Sequence, residues 1–105
     1  MNAFDMSQVM AERQRSGRAY LEFLRVPSMS AGVYHLPAGG ADTQRPHKED
    51  EAYYVMEGRG SFRAGDEDRA IGPGAFIFVE AGKEHRFHSI TEDMTLLVFF
   101  SPAES

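Results

Sequence analysis

Cysteine is absent from this chain of 105 residues. No disulfide framework and no thiolate metal site is available, a composition compatible with a reducing cytoplasm. Positive charge is scarce as well: 11 Lys and Arg stand against 16 Asp and Glu, a formal net charge of −5. A phosphate-binding surface needs a basic footprint, so no nucleic-acid partner is expected. No apolar run approaches membrane-spanning length, and the opening Met1-Asn2-Ala3-Phe4-Asp5 lacks the basic region and apolar stretch of a secretory signal. The expectation is a cytoplasmic chain with no membrane partner, forming a single domain over residues 1–105.

Helix is also in short supply. The one candidate lies within residues 1–18, capped by Asp5 or Ser7, with Val9 and Met10 as a modest apolar side and Ser16-Gly17 as its end. Arg13 and Arg15 suit its C-terminal dipole and read as a solvated face rather than an anion site. Beyond it, short alternating runs are punctuated by Gly, Pro and Asp, the pattern of an all-β sandwich or barrel. Tyr20 to Val26 alternates, with Tyr20, Glu22, Leu24 and Val26 on one face. Pro27-Ser28 breaks it, and Met29 to Leu36 forms the next strand. Pro37 to Arg45 is irregular, and Asp42 is expected to hold that loop by bonding local backbone groups. Gly65-Asp66-Glu67-Asp68 is hairpin-turn chemistry and lacks the ligand spacing of a calcium loop.

Two stretches carry the chemistry. Gln44 to Gly58 places His47 and Glu51 four apart on the approach to an apolar strand, Ala52 to Met56. Gly74 to His85 runs through a turn, a fully apolar strand, a tight turn and a histidine that opens another strand. Together they resemble the two motifs of the cupin family, G(X)5HXH(X)3-4E(X)6G and G(X)5PXG(X)2H(X)3N. Gly39, His47, Glu51 and Gly58 fall in the first register, and Gly74, Gly82 and His85 in the second. Three positions depart: Arg45 occupies the first-histidine slot, Glu80 the proline slot and Ser89 the asparagine slot. The resemblance spans residues 29–100. It implies a double-stranded β-helix, a jelly-roll cupin barrel, preceded by the short N-terminal helix.

The resemblance further implies a divalent transition metal, Fe, Mn, Ni or Zn, held by His47, Glu51 and His85. Two imidazoles and a carboxylate with open positions suit non-haem Fe(II) oxygenase chemistry and other metals besides. Pro46 lacks an N–H and forces its predecessor towards extended geometry, so Gln44 can turn inward as a fourth ligand in place of the missing histidine. Arg45 is a candidate for orienting an anionic substrate, with solvent as its alternative direction. Tyr53 is a candidate catalytic or pocket-wall residue. The period of two puts Glu51, Tyr53 and Val55 inward, then Phe76 and Phe78 or the alternate face of that strand, then His85, Phe87 and Ser89. His88 has the opposite parity and is expected at the surface. His35 is either a partner of a metal ligand or a strand-end histidine bonded to backbone.

Three functions remain open from these residues: a dioxygenase-like metal-dependent enzyme on a small anionic molecule, a metal-containing binding or sensing module, and a barrel that folds without metal. Outward apolar residues, Tyr54 and Met56 among them, lead to the expectation of a homodimer.

Overall fold

A computed structural model describes all residues 1–105. Helix α1 (Met6–Ser16) is followed by six strands: β1 (Tyr20–Val26), β2 (Met29–Leu36), β3 (Asp50–Ala64), β4 (Glu67–Ile71), β5 (Phe76–Val79) and β6 (His85–Ser101). Asp5 occupies the N-cap position of α1 without a side-chain cap hydrogen bond, and Gly17, in the left-handed region, closes the helix by donating to Gln14 O. The helix packs over β1 and β2 with Val9 buried beneath it.

Two long strands make the jelly roll. The first half of β3 pairs with β5 on one side and with the last third of β6 on the other, while its second half pairs with β4 and with the start of β6. β3 and β6 therefore pass together from one sheet to the other. The crossing shows as register shifts between Val55 and Ser61, because a bulge lets a strand bend and twist sharply. β2 extends the first sheet from β6, and β1 closes its edge. Gly58 sits at the bend with φ of 92°, and a Cβ there would lie 2.3 Å from Asp93 O. Only glycine fits that place.

The core fills the space between the sheets, with Tyr53, Val55, Phe62, Phe87, Met94, Leu96 and Val98 among its buried members. Each fully buried apolar side chain of this size contributes about 1.5–3 kcal/mol of transfer free energy. Four aromatic contacts lock its middle, including Tyr53 against Phe87 at 4.9 Å and Phe62 against Phe87 at 4.6 Å.

Several expectations are decided or corrected here. On β5 it is the alternate face that turns inward: Ile77 pairs with Tyr53 and Val79 with Glu51, so Phe76 and Phe78 stand 66% and 63% exposed. β1 carries a bulge at Phe23, between Glu22 and Leu24, which breaks the alternation over Tyr20 to Val26. Ser89 does not face the pocket; it is exposed, with φ of 50°. His35 lines a cleft with Met10, Arg13, Glu57 and Asp93, to which neither His47 nor His85 contributes.

Candidate metal centre

The centre forms where the two motif loops are tied together. Gly82 N donates to His47 O at 2.7 Å, and Ala81 N donates to Asp50 Oδ1 at 2.8 Å. These bonds bring the turn after β5 against the chain entering β3. Glu51 is the second residue of β3 and turns inward, His85 is the first residue of β6, and His47 comes from the loop before β3. One ligand atom from each lies within 4.8 Å of the others.

The hydrogen bonding around these groups turns their metal-facing atoms toward one another and leaves the Glu51 oxygens without a partner. His85 Nδ1 stands 2.8 Å from Lys83 O, so the proton of the neutral ring belongs on Nδ1 and the Nε2 lone pair faces inward. That nitrogen lies 2.9 Å from Glu51 Oε1. A lone pair cannot donate, and both Glu51 oxygens accordingly have no hydrogen-bond partner although the residue is only 2% exposed. A buried, unpartnered carboxylate carries a large desolvation cost unless a cation or proton neutralises it. Burial pulls the His85 pKa down, but the Glu51 carboxylate, the Lys83 carbonyl and the charge of Asp42 outweigh it and leave the imidazole above its ordinary value. A proton and a divalent metal thus compete for the same gap, and the donor set of two imidazoles and one carboxylate fits the metal.

Gln44 reaches the same gap. Its Oε1 lies 3.3 Å from His47 Nε2 and accepts from the Tyr53 hydroxyl at 3.1 Å. Its Nε2 donates to Asp42 Oδ2 at 2.9 Å, which turns the amide oxygen inward. Asp42 is the hub behind it, accepting also from Tyr34 Oη, Gln44 N and Phe87 N. The expected local anchoring of the loop by Asp42 is present and extends across the barrel to β6. Tyr53 is fully buried, and its hydroxyl also lies 3.1 Å from His85 Nε2. Burial, then the Glu51 charge, pushes its phenol well above the usual range, so it serves as a hydrogen-bond donor rather than a base. Arg45 is exposed and lines a polar cleft with Arg63, Arg86 and Glu84, a cleft that Gln44 and His85 also border.

A cavity of about 220 Å³ opens on the other side, bounded by Tyr20, Tyr34, Gln44, His47, Phe100 and Glu104. Tyr20 reaches it across Gly32, where a Cβ would lie 2.2 Å from the phenol ring. Its hydroxyl is buried without a partner. Glu104 brings a carboxylate to 3.3 Å from His47 Nδ1. Burial raises its pKa, the His47 charge lowers it, and the neighbouring Glu51 and Glu49 raise it again, leaving it above the ordinary value. Sequence reasoning missed both residues. Tyr20 showed only as one member of an alternating face, and nothing in Ser-Pro-Ala-Glu-Ser marks a residue that folds back on the barrel mouth. His88 is at the surface as its parity implies, paired with Asp68 of the acidic turn at 2.8 Å.

A jelly-roll barrel that gathers two histidines and a glutamate between the ends of its strands defines a class of small barrels with a candidate metal site. The chain belongs to the cupin family: the family model described as cupin domain matches residues 32–100. It is 46% identical over 105 residues to an uncharacterized protein of Streptomyces coelicolor, with all of both chains covered. Its fold is similar to TT1209 from Thermus thermophilus, with a TM-score of 0.76, 24% identity, and 98% of this chain and 99% of that one covered. It is likewise similar to the DMSP lyase DddQ from Ruegeria pomeroyi DSS-3, with a TM-score of 0.70, 23% identity, and 79% of this chain and 47% of that one covered. At those identities the two structures speak for the fold alone. No helix is long and apolar enough to cross a membrane.

Proposed function

We propose that the protein is a metal-dependent enzyme, dioxygenase-like in its ligand set, that acts on a small organic molecule bearing an acidic oxygen. The observation that carries this reading is the buried Glu51 carboxylate, unpartnered and facing two imidazole nitrogens. His47, Glu51 and His85 hold a divalent Fe, Mn, Ni or Zn, with the Gln44 amide oxygen as a fourth, weaker donor where the family has its first histidine. The bound metal supplies Lewis acidity and an open position for a chelating oxygen or for dioxygen. The substrate occupies the cavity beside Tyr20 and Tyr34, where the free Tyr20 hydroxyl donates to a substrate oxygen. Arg45, with Arg63 and Arg86, attracts the anion from the neighbouring cleft rather than gripping it. That a related barrel is a DMSP lyase supports catalysis by this fold on small molecules.

A second reading, a metal-containing binding module without turnover, draws on Tyr53, a phenol too firmly protonated to act as a base. Elemental analysis and turnover separate the readings. Roughly one transition metal per chain, lost in a His47→Ala, His85→Ala double variant, together with oxygen uptake or product formation from enolates, catechols or keto acids, is expected of the enzyme. Ligand binding with no turnover on the metal-loaded protein favours the module. A wild type that stays metal-free after reconstitution with Fe, Mn, Ni and Zn sinks both.

The protein also pairs with a second copy through the face that carries Tyr54, Phe76 and Phe78. These side chains lie in adjacent cross-strand positions, Tyr54 opposite Phe76 and Phe78 opposite Ala52, with Leu97 and Phe99 continuing the rows. No charged side chain interrupts those rows, so covering them with a second copy desolvates no charge within them.

A further inference from the structure

The segment after β6 is bound to the barrel more firmly than a loose tail requires. Ala103 N donates to Pro27 O at 3.4 Å, Glu104 N to Ser30 Oγ at 2.9 Å, and Ser105 N to Glu49 Oε2 at 3.2 Å. The Arg25 guanidinium donates to Glu104 O through both its terminal nitrogens. Two of the acceptors are themselves buried, Ser30 fully and Glu49 to within 6%. A buried serine and a buried carboxylate that receive backbone N–H groups of the last residues make a built attachment, because leaving either unpaired would cost free energy.

What the attachment holds in place is one side chain. The Glu104 carboxylate stands 3.3 Å from His47 Nδ1, while His47 Nε2 faces Gln44 Oε1 at 3.3 Å and Glu51 Oε1 at 3.9 Å. His85 has a backbone carbonyl behind its outer nitrogen. His47 comes from a loop and has only Glu104 in the corresponding place. Metal-ligating histidines depend on such an outer acceptor, which fixes the tautomer and ring orientation and raises the basicity of the coordinating nitrogen.

We propose that Glu104 is the positioning residue for His47, delivered by a C-terminal strap, and that it keeps the Nδ1 proton outward and the Nε2 lone pair on the metal. This rests on the metal-site reading above. Arg25, Ser30 and Glu49 serve the same end by fastening the strap. Glu104 itself touches no metal and stands behind the ligand, at the wall of the cavity.

The test is metal affinity by chelator competition with Zn and Co on wild type, Glu104→Ala, Glu104→Gln and an exposed control, Glu67→Gln. Glu104→Ala is expected to weaken binding by about ten- to a hundredfold. Glu104→Gln should fall between, since its amide oxygen can still accept the Nδ1 proton without the charge, and the control should match wild type. Nitrogen NMR of the zinc-loaded wild type should show the His47 proton on Nδ1. Thermal melts of the metal-free variants report whether each is folded, and Ser30→Ala, which removes the acceptor of the Glu104 N–H without changing the Glu104 side chain, should weaken metal binding in the same direction. A folded Glu104→Ala protein that binds metal like wild type overturns the strap proposal and leaves the metal site standing. A wild type that binds no metal overturns the site and the strap together.

Discussion

Gln44 occupies a position that ordinary cupin spacing gives to nothing, one residue before the slot of the missing histidine, and its amide is oriented from behind by Asp42 and from the side by Tyr53. If its oxygen completes the ligand set, Gln44→Ala should lower Zn or Co affinity by about tenfold while leaving the melting temperature of the metal-free protein nearly unchanged. Equal affinities in a chelator competition would remove Gln44 from the set. The two cavity tyrosines make a separate prediction about pH. Burial and then nearby carboxylates, Glu104, Glu22 and Glu51 for Tyr20 and Asp42 for Tyr34, hold both phenols above their usual value. A raised pKa favours the neutral form in the folded state. The resulting stability is fully present below about pH 10, the unfolded value, and is lost as pH rises from there towards the folded value. Phenolate absorbance from these residues should therefore appear together with unfolding in an alkaline titration followed by circular dichroism. Full ionisation near pH 10 in a protein that keeps its native spectrum would contradict this.

At the scale of elements, the long strands depend on their bend. Gly58 combines positive φ with a Cβ position occupied by Asp93 O and Met94 Cα, so Gly58→Ala must distort the β3–β6 crossing and should cost about 2–4 kcal/mol in denaturant unfolding. A cost below about 1 kcal/mol would mean that the crossing relaxes easily. Ser89 is the complementary case. It holds φ of 50° near the same crossing, where the family motif has asparagine, a residue that visits the left-handed region more readily. Ser89→Asn should raise stability by about 0.5–1 kcal/mol. The contact of Ser89 Oγ with His88 Nδ1 at 3.0 Å is exposed and should offset little of that gain.

For the whole molecule, the open question is what covers the aromatic face. Phe76, Phe78 and Tyr54 are the large side chains left exposed on the β3–β5 surface, because β5 turns Ile77 and Val79 to the core instead. If a second copy covers them, sedimentation equilibrium should give a dimer for wild type, and Phe76→Ser with Phe78→Ser should shift it to monomer with metal content unchanged. A wild type that sediments as a monomer at all concentrations would leave the face uncovered. The same double variant should also lose little thermal stability when studied as a monomer, since neither ring is in the core.

The amino-acid sequence by itself determined the class of fold and the three metal-binding candidates, because both rest on local spacing. Period-two alternation assigns Glu51 and Tyr53 to one face of one strand. The motif spacings carry His47, Glu51 and His85, and glycines with positive φ stand at Gly39, Gly58, Gly74 and Gly82 in both motifs. Tertiary structure decided the rest. A strand apolar on both faces, such as Phe76 to Val79, has no intrinsic inside, and only its pairing with Glu51 and Tyr53 chose Ile77 and Val79. Gln44 and Arg45 are neighbours, yet Asp42 holds the Gln44 amide in the half-buried site while Arg45 stays exposed. Glu104 meets His47 only because β2 and the approach to β3 together bind the last residues back over the barrel mouth. A contact between residues so far apart in the chain leaves no trace in local pattern; it exists only once the sheets have closed.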